Sequence, residues 1–192
     1  MSCPPDLLLP TRPGLPDSHA PLRAAYPATG WATHMNYGQL TAFWLQVHAS
    51  LRAEAGAVVA LIDAWRPDDD GRAFAARFVP GLNQFLGHLD AHHRIEDEQY
   101  FPKFRAADPR ALAGFEVLES DHALIHAQIV ATVTGARTLL GALPAGGDPL
   151  RRARDAHALQ LGRLRQLLDR HLSDEEEIVI PALLEHGERS VA

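Results

Sequence analysis

The chain has 192 residues, with 46% apolar and 22% charged positions and a formal charge of −6. That length suits one domain with a sizeable core, and the composition is that of a soluble globular protein. The acidic balance argues against a nucleic-acid partner, which selects a basic patch, and no uninterrupted apolar run approaches the ~20 residues that span a bilayer.

Residues 1 to 35 are not core-like. Pro4, Pro5, Pro10, Pro13, Pro16, Pro21 and Pro27 forbid a long helix or a central strand there. This segment reads as an extended arm, disordered or laid across the surface. Its start lacks the basic and apolar regions of a signal peptide, so the expected location is the cytoplasm. Cys3 is the single cysteine, which excludes an intrachain disulfide and any site built on several thiolates.

From residue 36 to 192 the pattern is helical. A first helix is expected from Asn36, as N-cap, to Ala64, ending before Pro67 and Asp68-Asp69-Asp70-Gly71. A second runs from about Arg72 to Phe101, interrupted or kinked at Pro80-Gly81 and ended by Pro102. Asp108-Pro109 opens a third, reaching about Ala142, and Asp148-Pro149 opens a fourth, reaching about Ile180 before Pro181. The fold class is therefore all-α. Four helices of roughly 25–30 residues with short connections predict an up–down antiparallel four-helix bundle behind a proline-rich N-terminal arm.

Eleven histidines are unusual for this length, and several recur at helical spacing. The second helix ends His92-His93-Arg94-Ile95-Glu96 and the fourth carries His171-Leu172-Ser173-Asp174-Glu175, each followed by acids, apolar residues and a proline six after the glutamate. Residues four apart share a helix face, so His92 projects with Glu96 and His171 with Glu175. The third helix carries His122 and His126, again four apart, and the first carries His48 among apolar neighbours. At ~1.5 Å per residue, His48 and His122 lie roughly 18–20 Å from their helix starts, and His92 and His171 roughly 14 Å from their helix ends. In an up–down bundle these meet in one layer. Five imidazoles and two carboxylates at one level suit two borderline divalent ions bridged by the carboxylates.

The other histidines are read otherwise. His88 shares a column with His92, and His34 lies near the ligand end of the bundle. His93 is expected to face solvent, and His19, His157 and His186 to lie on the surface.

The order His…His-x-x-x-Glu…His-x-x-x-His…His-x-x-x-Glu resembles the hemerythrin-like (HHE cation-binding) family over about residues 36 to 185. The resemblance implies a four-helix bundle with a non-haem di-iron centre, two iron ions and a bridging oxo or hydroxo group. Carried over, His48 and His92 would serve one iron, His122, His126 and His171 the other, and Glu96 and Glu175 would bridge. Glu175 stands four residues after His171, where hemerythrin itself has an aspartate at five. That variant resembles the bacterial and regulatory members more than the oxygen carriers.

The expected function is binding or sensing of O₂ or a related small diatomic, in preference to an enzyme. The alternatives are a di-iron peroxidase or oxidase, a protein of nitric-oxide or iron–sulfur-repair type, and iron sensing. A small-molecule pocket would be lined by Trp44, Leu45 and Leu168, with the Tyr100 hydroxyl near the metal layer. Neither a nucleic acid nor a membrane is expected as partner, and the residues point to no protein partner.

Overall fold

The computed structural model describes residues 5–191; Cys3 and Pro4 lie outside the described residues. Regular structure among the described residues is helical throughout, without strands. The long elements are α1 (Gln39–Ala64), α2 (Gly71–Ile95), α4 (Leu112–Ala142) and α5 (Gly147–His186), with a short α3 (Phe101–Ala107) following α2. Two helices, Gln39–Ala64 and Pro109–Ala142, are long and apolar enough to cross a membrane by length and composition alone. This qualifies the reading of uninterrupted runs, since polar residues break both stretches.

Helices α1, α4 and α5 each carry a buried stripe spaced alternately by three and four residues, the period that keeps one face inward. In α1 it is Thr41, Trp44, His48, Leu51, Ala55, Val58 and Ile62; in α4, Phe115, Leu118, His122, Ile125, Ile129 and Thr132. In α5 it is His157, Leu161, Leu164, Leu168, His171, Glu175 and Ile178.

Several boundaries differ from expectation. Helix α1 starts at Gln39 rather than at Asn36. Its first turn is capped from far along the chain: the Glu188 carboxylate accepts from the Thr41 N–H at 2.9 Å and the Thr41 hydroxyl at 3.1 Å. That cap requires glycine at position 38, where a Cβ would stand 2.5 Å from the carboxylate. Pro80 lies inside an unbroken α2. Pro102 does not end the second helix either. The ladder widens into a π-turn over Glu96–Tyr100, closed by the Phe101 N–H on the Glu96 carbonyl, and continues as α3 with Pro102 in its first turn. A π-turn just before a proline absorbs the missing donor and the ring clash. Pro181 is likewise carried inside α5, which runs on to His186. Asp108 caps as expected, accepting from the Arg110 N–H.

The chain divides into two compact units. One comprises Ser50–Asp90 and Leu124–Leu168. Its core holds the stacked pairs Trp65–Phe74 and Phe74–Phe78, at 4.2 and 4.8 Å between ring centroids. Arg154 closes the end of α1 by donating to the Ile62 and Asp63 carbonyls, both at 3.1 Å.

The other unit comprises the described residues up to Ala49, Ala91–Ala123, and those from Asp169 onward. Its core joins Trp44, Phe101, Phe104, Phe115 and Leu118 to Leu7, Leu15, Ala20 and Leu22 of the N-terminal segment. That segment is therefore neither extended nor merely superficial. Its prolines sit among turns, with Arg12 N–H on the Leu8 carbonyl and Tyr26 N–H on the Leu22 carbonyl, both at 3.0 Å, and Leu7, Leu15 and Leu22 are buried in the same core as the aromatic rings.

Candidate metal centre

Two groups of buried side chains in this second unit bring their donor atoms together. His48, His92, Glu96 and Glu175 form one; His93, His122 and His171 form the other; within each, the ligand atoms lie within 4.8 Å of one another. The two glutamates face both groups. Glu96 turns Oε1 to His92 Nε2 at 3.1 Å and Oε2 to His122 Nε2 at 3.6 Å. Glu175 turns Oε1 to His48 Nε2 at 3.4 Å and Oε2 to His171 Nε2 at 3.5 Å. Trp44 fixes the latter carboxylate, its indole N–H donating to Oε1 at 2.7 Å.

Outer carboxylates orient three of the rings. Nδ1 of His48 contacts Glu176 at 2.9 Å, Nδ1 of His122 contacts Asp97 at 2.8 Å, and Nδ1 of His171 contacts Asp121 at 3.3 Å. A carboxylate on Nδ1–H leaves the Nε2 lone pair for a cation. The Nε2 atoms of His122 and His171 converge to 3.1 Å.

The electrostatics match a site built for cations. Burial holds His92 down to about 3 and His93 well below the usual histidine range, so both rings are neutral. Burial also lowers His171, against the pull of Asp121. Burial and the neighbouring Glu175 carboxylate push Glu96 well up. Burial opposes ionisation of Glu175, but the His48 charge holds it below the usual range; reciprocally, burial opposes protonation of His48 while Glu175 raises it to about 9. Buried Nε2 of His48, His92 and His93, both Glu96 oxygens and Glu175 Oε2 have no hydrogen-bond partner. Unpartnered buried polar atoms are costly, and this set, imidazole nitrogen with carboxylate oxygen, fits two borderline divalent cations.

Six of the seven expected ligands are brought together here: His48, His92, Glu96, His122, His171 and Glu175. His126 is not among them. Its side chain is 64% exposed and pairs with Asp90 at 3.3 Å. The α4 stripe steps four from Leu118 to His122 and then three to Ile125, so the inward place one turn on belongs to isoleucine. His93, expected to face solvent, is buried instead and stacks on His122. The signal for it was the stripe Leu82, Leu86, Leu89, His93, Glu96, again in steps of four and three. A buried stripe spans 100° or more, wide enough for two adjacent histidines.

Of the expected pocket residues, Trp44 is buried against Tyr100, ring centroids 5.0 Å apart, and Leu45 and Tyr100 are partly buried against the same core. Leu168 is fully buried and falls in the other unit. His88 pairs with Glu54 at 3.1 Å, and His34 Nδ1 accepts from the Asn36 N–H. His157 is not a surface residue; it is 1% exposed.

A helical protein whose buried centre offers imidazole and carboxylate donors in two adjoining groups is a cation-binding protein by its donor set. The family model of the hemerythrin HHE cation binding domain matches residues 39–183, and the chain belongs to that family. No curated protein and no solved structure matches the chain.

Proposed function

We propose that this is a non-haem di-iron protein that binds or senses O₂ or a related small molecule. His48 and His92 would hold one ion and His93, His122 and His171 the other, with Glu96 and Glu175 shared between the two groups. The observation that carries this reading is that each glutamate turns one oxygen to each histidine group. Iron, when bound, supplies a redox-active cation that can take a diatomic ligand. The chain's own residues set the conditions: Trp44 holds Glu175, Glu176, Asp97 and Asp121 hold the rings, and Phe101, Phe104 and Phe115 keep the surroundings dry.

Binding is favoured over turnover because the buried histidines and acids of the centre are committed to the clusters or to holding their members. The same reading takes residues 36–192 as an up–down antiparallel four-helix bundle, supported by the three-four stripes of α1, α4 and α5. Residues 1–35 are its proline-rich arm, and the cytoplasm is its location.

Anaerobic loading with Fe²⁺ followed by O₂ tests this reading. A new visible absorption band that appears on O₂ addition and reverses on its removal supports binding. No spectral change in iron-loaded protein contradicts it.

A further inference from the structure

Among the described residues before α1, Arg12 is the one fully buried charge. Its guanidinium forks the Asp121 carboxylate, Nη1 to Oδ1 at 2.8 Å and Nη2 to Oδ2. Its Nε donates to Asp174 Oδ2 at 2.7 Å, and Nη1 also reaches the Leu7 carbonyl at 2.8 Å. Asp121 Oδ2, the oxygen that receives Nη2, is the one 3.3 Å from His171 Nδ1. Asp174, three residues after His171, is held in addition by Arg170 at 2.7 Å.

We propose that Arg12 is a positioning residue of the metal centre, fixing Asp121 and through it the ring of His171, so that the N-terminal segment is part of the centre. The inference rests on the metal reading above. Burial is the physical reason. The Asp97 carboxylate behind His122 is 41% exposed, and water can solvate it. The Asp121 side chain is only 5% exposed. A carboxylate in such a place needs a fixed partner to stay charged and oriented. Arginine suits this better than lysine, because its planar fork sets the carboxylate plane and reaches a second acid as well. With Asp121 fixed, His171 keeps its proton on Nδ1 and offers Nε2 to a cation. Gly114 lets the segment seat closely: a Cβ there would collide with the His19 carbonyl oxygen.

The test uses Co²⁺ as probe, in competition with a chelator, on full-length wild type, Arg12→Ala, Asp121→Asn and the double variant. Arg12→Ala should weaken one binding step by about tenfold to a hundredfold, as loss of a partner behind a ligand does. Asp121→Asn should weaken the same step, and the double variant should lose no more than Asp121→Asn alone. In metal-free protein, the ¹⁵N shifts of His171 should report the Nδ1–H tautomer in wild type and a mixture in Arg12→Ala. A folded Arg12→Ala with wild-type affinities and an unchanged tautomer overturns the proposal, as do losses that multiply in the double variant. If Arg12→Ala fails to fold, Arg12→Lys replaces it in the cycle. It keeps a cation but not the fork, and wild-type affinity there overturns the proposal equally. If wild type takes up no Co²⁺, the metal reading fails, while the tautomer measurement still decides whether Arg12 acts on His171.

Discussion

The His93 ring lies flat against the His122 ring, centroids 4.1 Å apart with 12° between the planes. Both belong to the three-histidine group, and His126 does not. His93→Ala should therefore lower the metal content of reconstituted protein by about one ion per chain. His126→Ala removes only an exposed pair, worth about 0–1 kcal/mol, and should leave metal content and melting temperature near wild type. Elemental analysis and thermal melts of the two variants check this; the opposite pattern restores His126 to the site.

Gly114 sits in the first turn of α4, and glycine to alanine within a helix ordinarily gains up to about 1 kcal/mol of stability. Here the added Cβ meets the His19 carbonyl oxygen and comes within 2.6 Å of Ile178 Cδ1. Backbone cannot give way as a flexible side chain can. Gly114→Ala should instead destabilise the protein by roughly 1–3 kcal/mol, the usual cost of overpacking, measured by urea denaturation.

His157 is buried with neither ring nitrogen hydrogen-bonded, and burial alone lowers it to about 4. The unfolded chain, near 6.5, binds more protons in the interval between. Stability contributed by the neutral ring is thus fully present above pH 6.5 and is lost progressively as pH falls toward 4, a loss of a few kcal/mol. His157→Leu should flatten this acid limb of the stability–pH curve. A slope equal to wild type between pH 4 and 6.5 would show that His157 does not titrate with unfolding.

The helical fold and six of the seven clustered residues were legible because both rest on local period. A histidine and a glutamate four apart must share a face, and the stripes of three and four place His48, His122 and His171 inward. His126 and His93 were misread for different reasons: the stripe steps three, not four, from His122 to Ile125, which leaves His126 outside, whereas the inward face of the second helix is wide enough to hold His93 beside His92, four after Leu89. His157 lies on the buried stripe of its own helix, four before Leu161. The helix ends were illegible for a different reason. Pro102 and Pro181 are strong breakers locally, and only the π-turn at Glu96–Tyr100 and the burial of Val179, Ile180 and Leu183 carry the chain past them. The N-terminal segment hid its role because its leucines are spaced by turns, not by a helical period, and the carboxylate partners of Arg12 lie more than 100 residues away.

Metal should also hold the fold together. Without it, both Glu96 oxygens, Glu175 Oε2 and the buried Nε2 atoms of His48, His92 and His93 lack hydrogen-bond partners. A ligand bound only by the native state, at a thousand times its dissociation constant, adds about 4 kcal/mol. Chelation should lower the melting temperature by several degrees, and adding metal back should restore it. A melting curve unchanged by verified metal removal would contradict a buried site.

The account depends most on the number of ions that the two histidine groups hold. Anaerobically iron-loaded protein, freed of excess metal and measured by elemental analysis against amino-acid analysis, should carry close to two irons per chain. A variant with both Glu96→Ala and Glu175→Ala should carry far less. A wild-type value near zero, or an iron content that survives loss of both glutamates, would contradict a carboxylate-bridged pair.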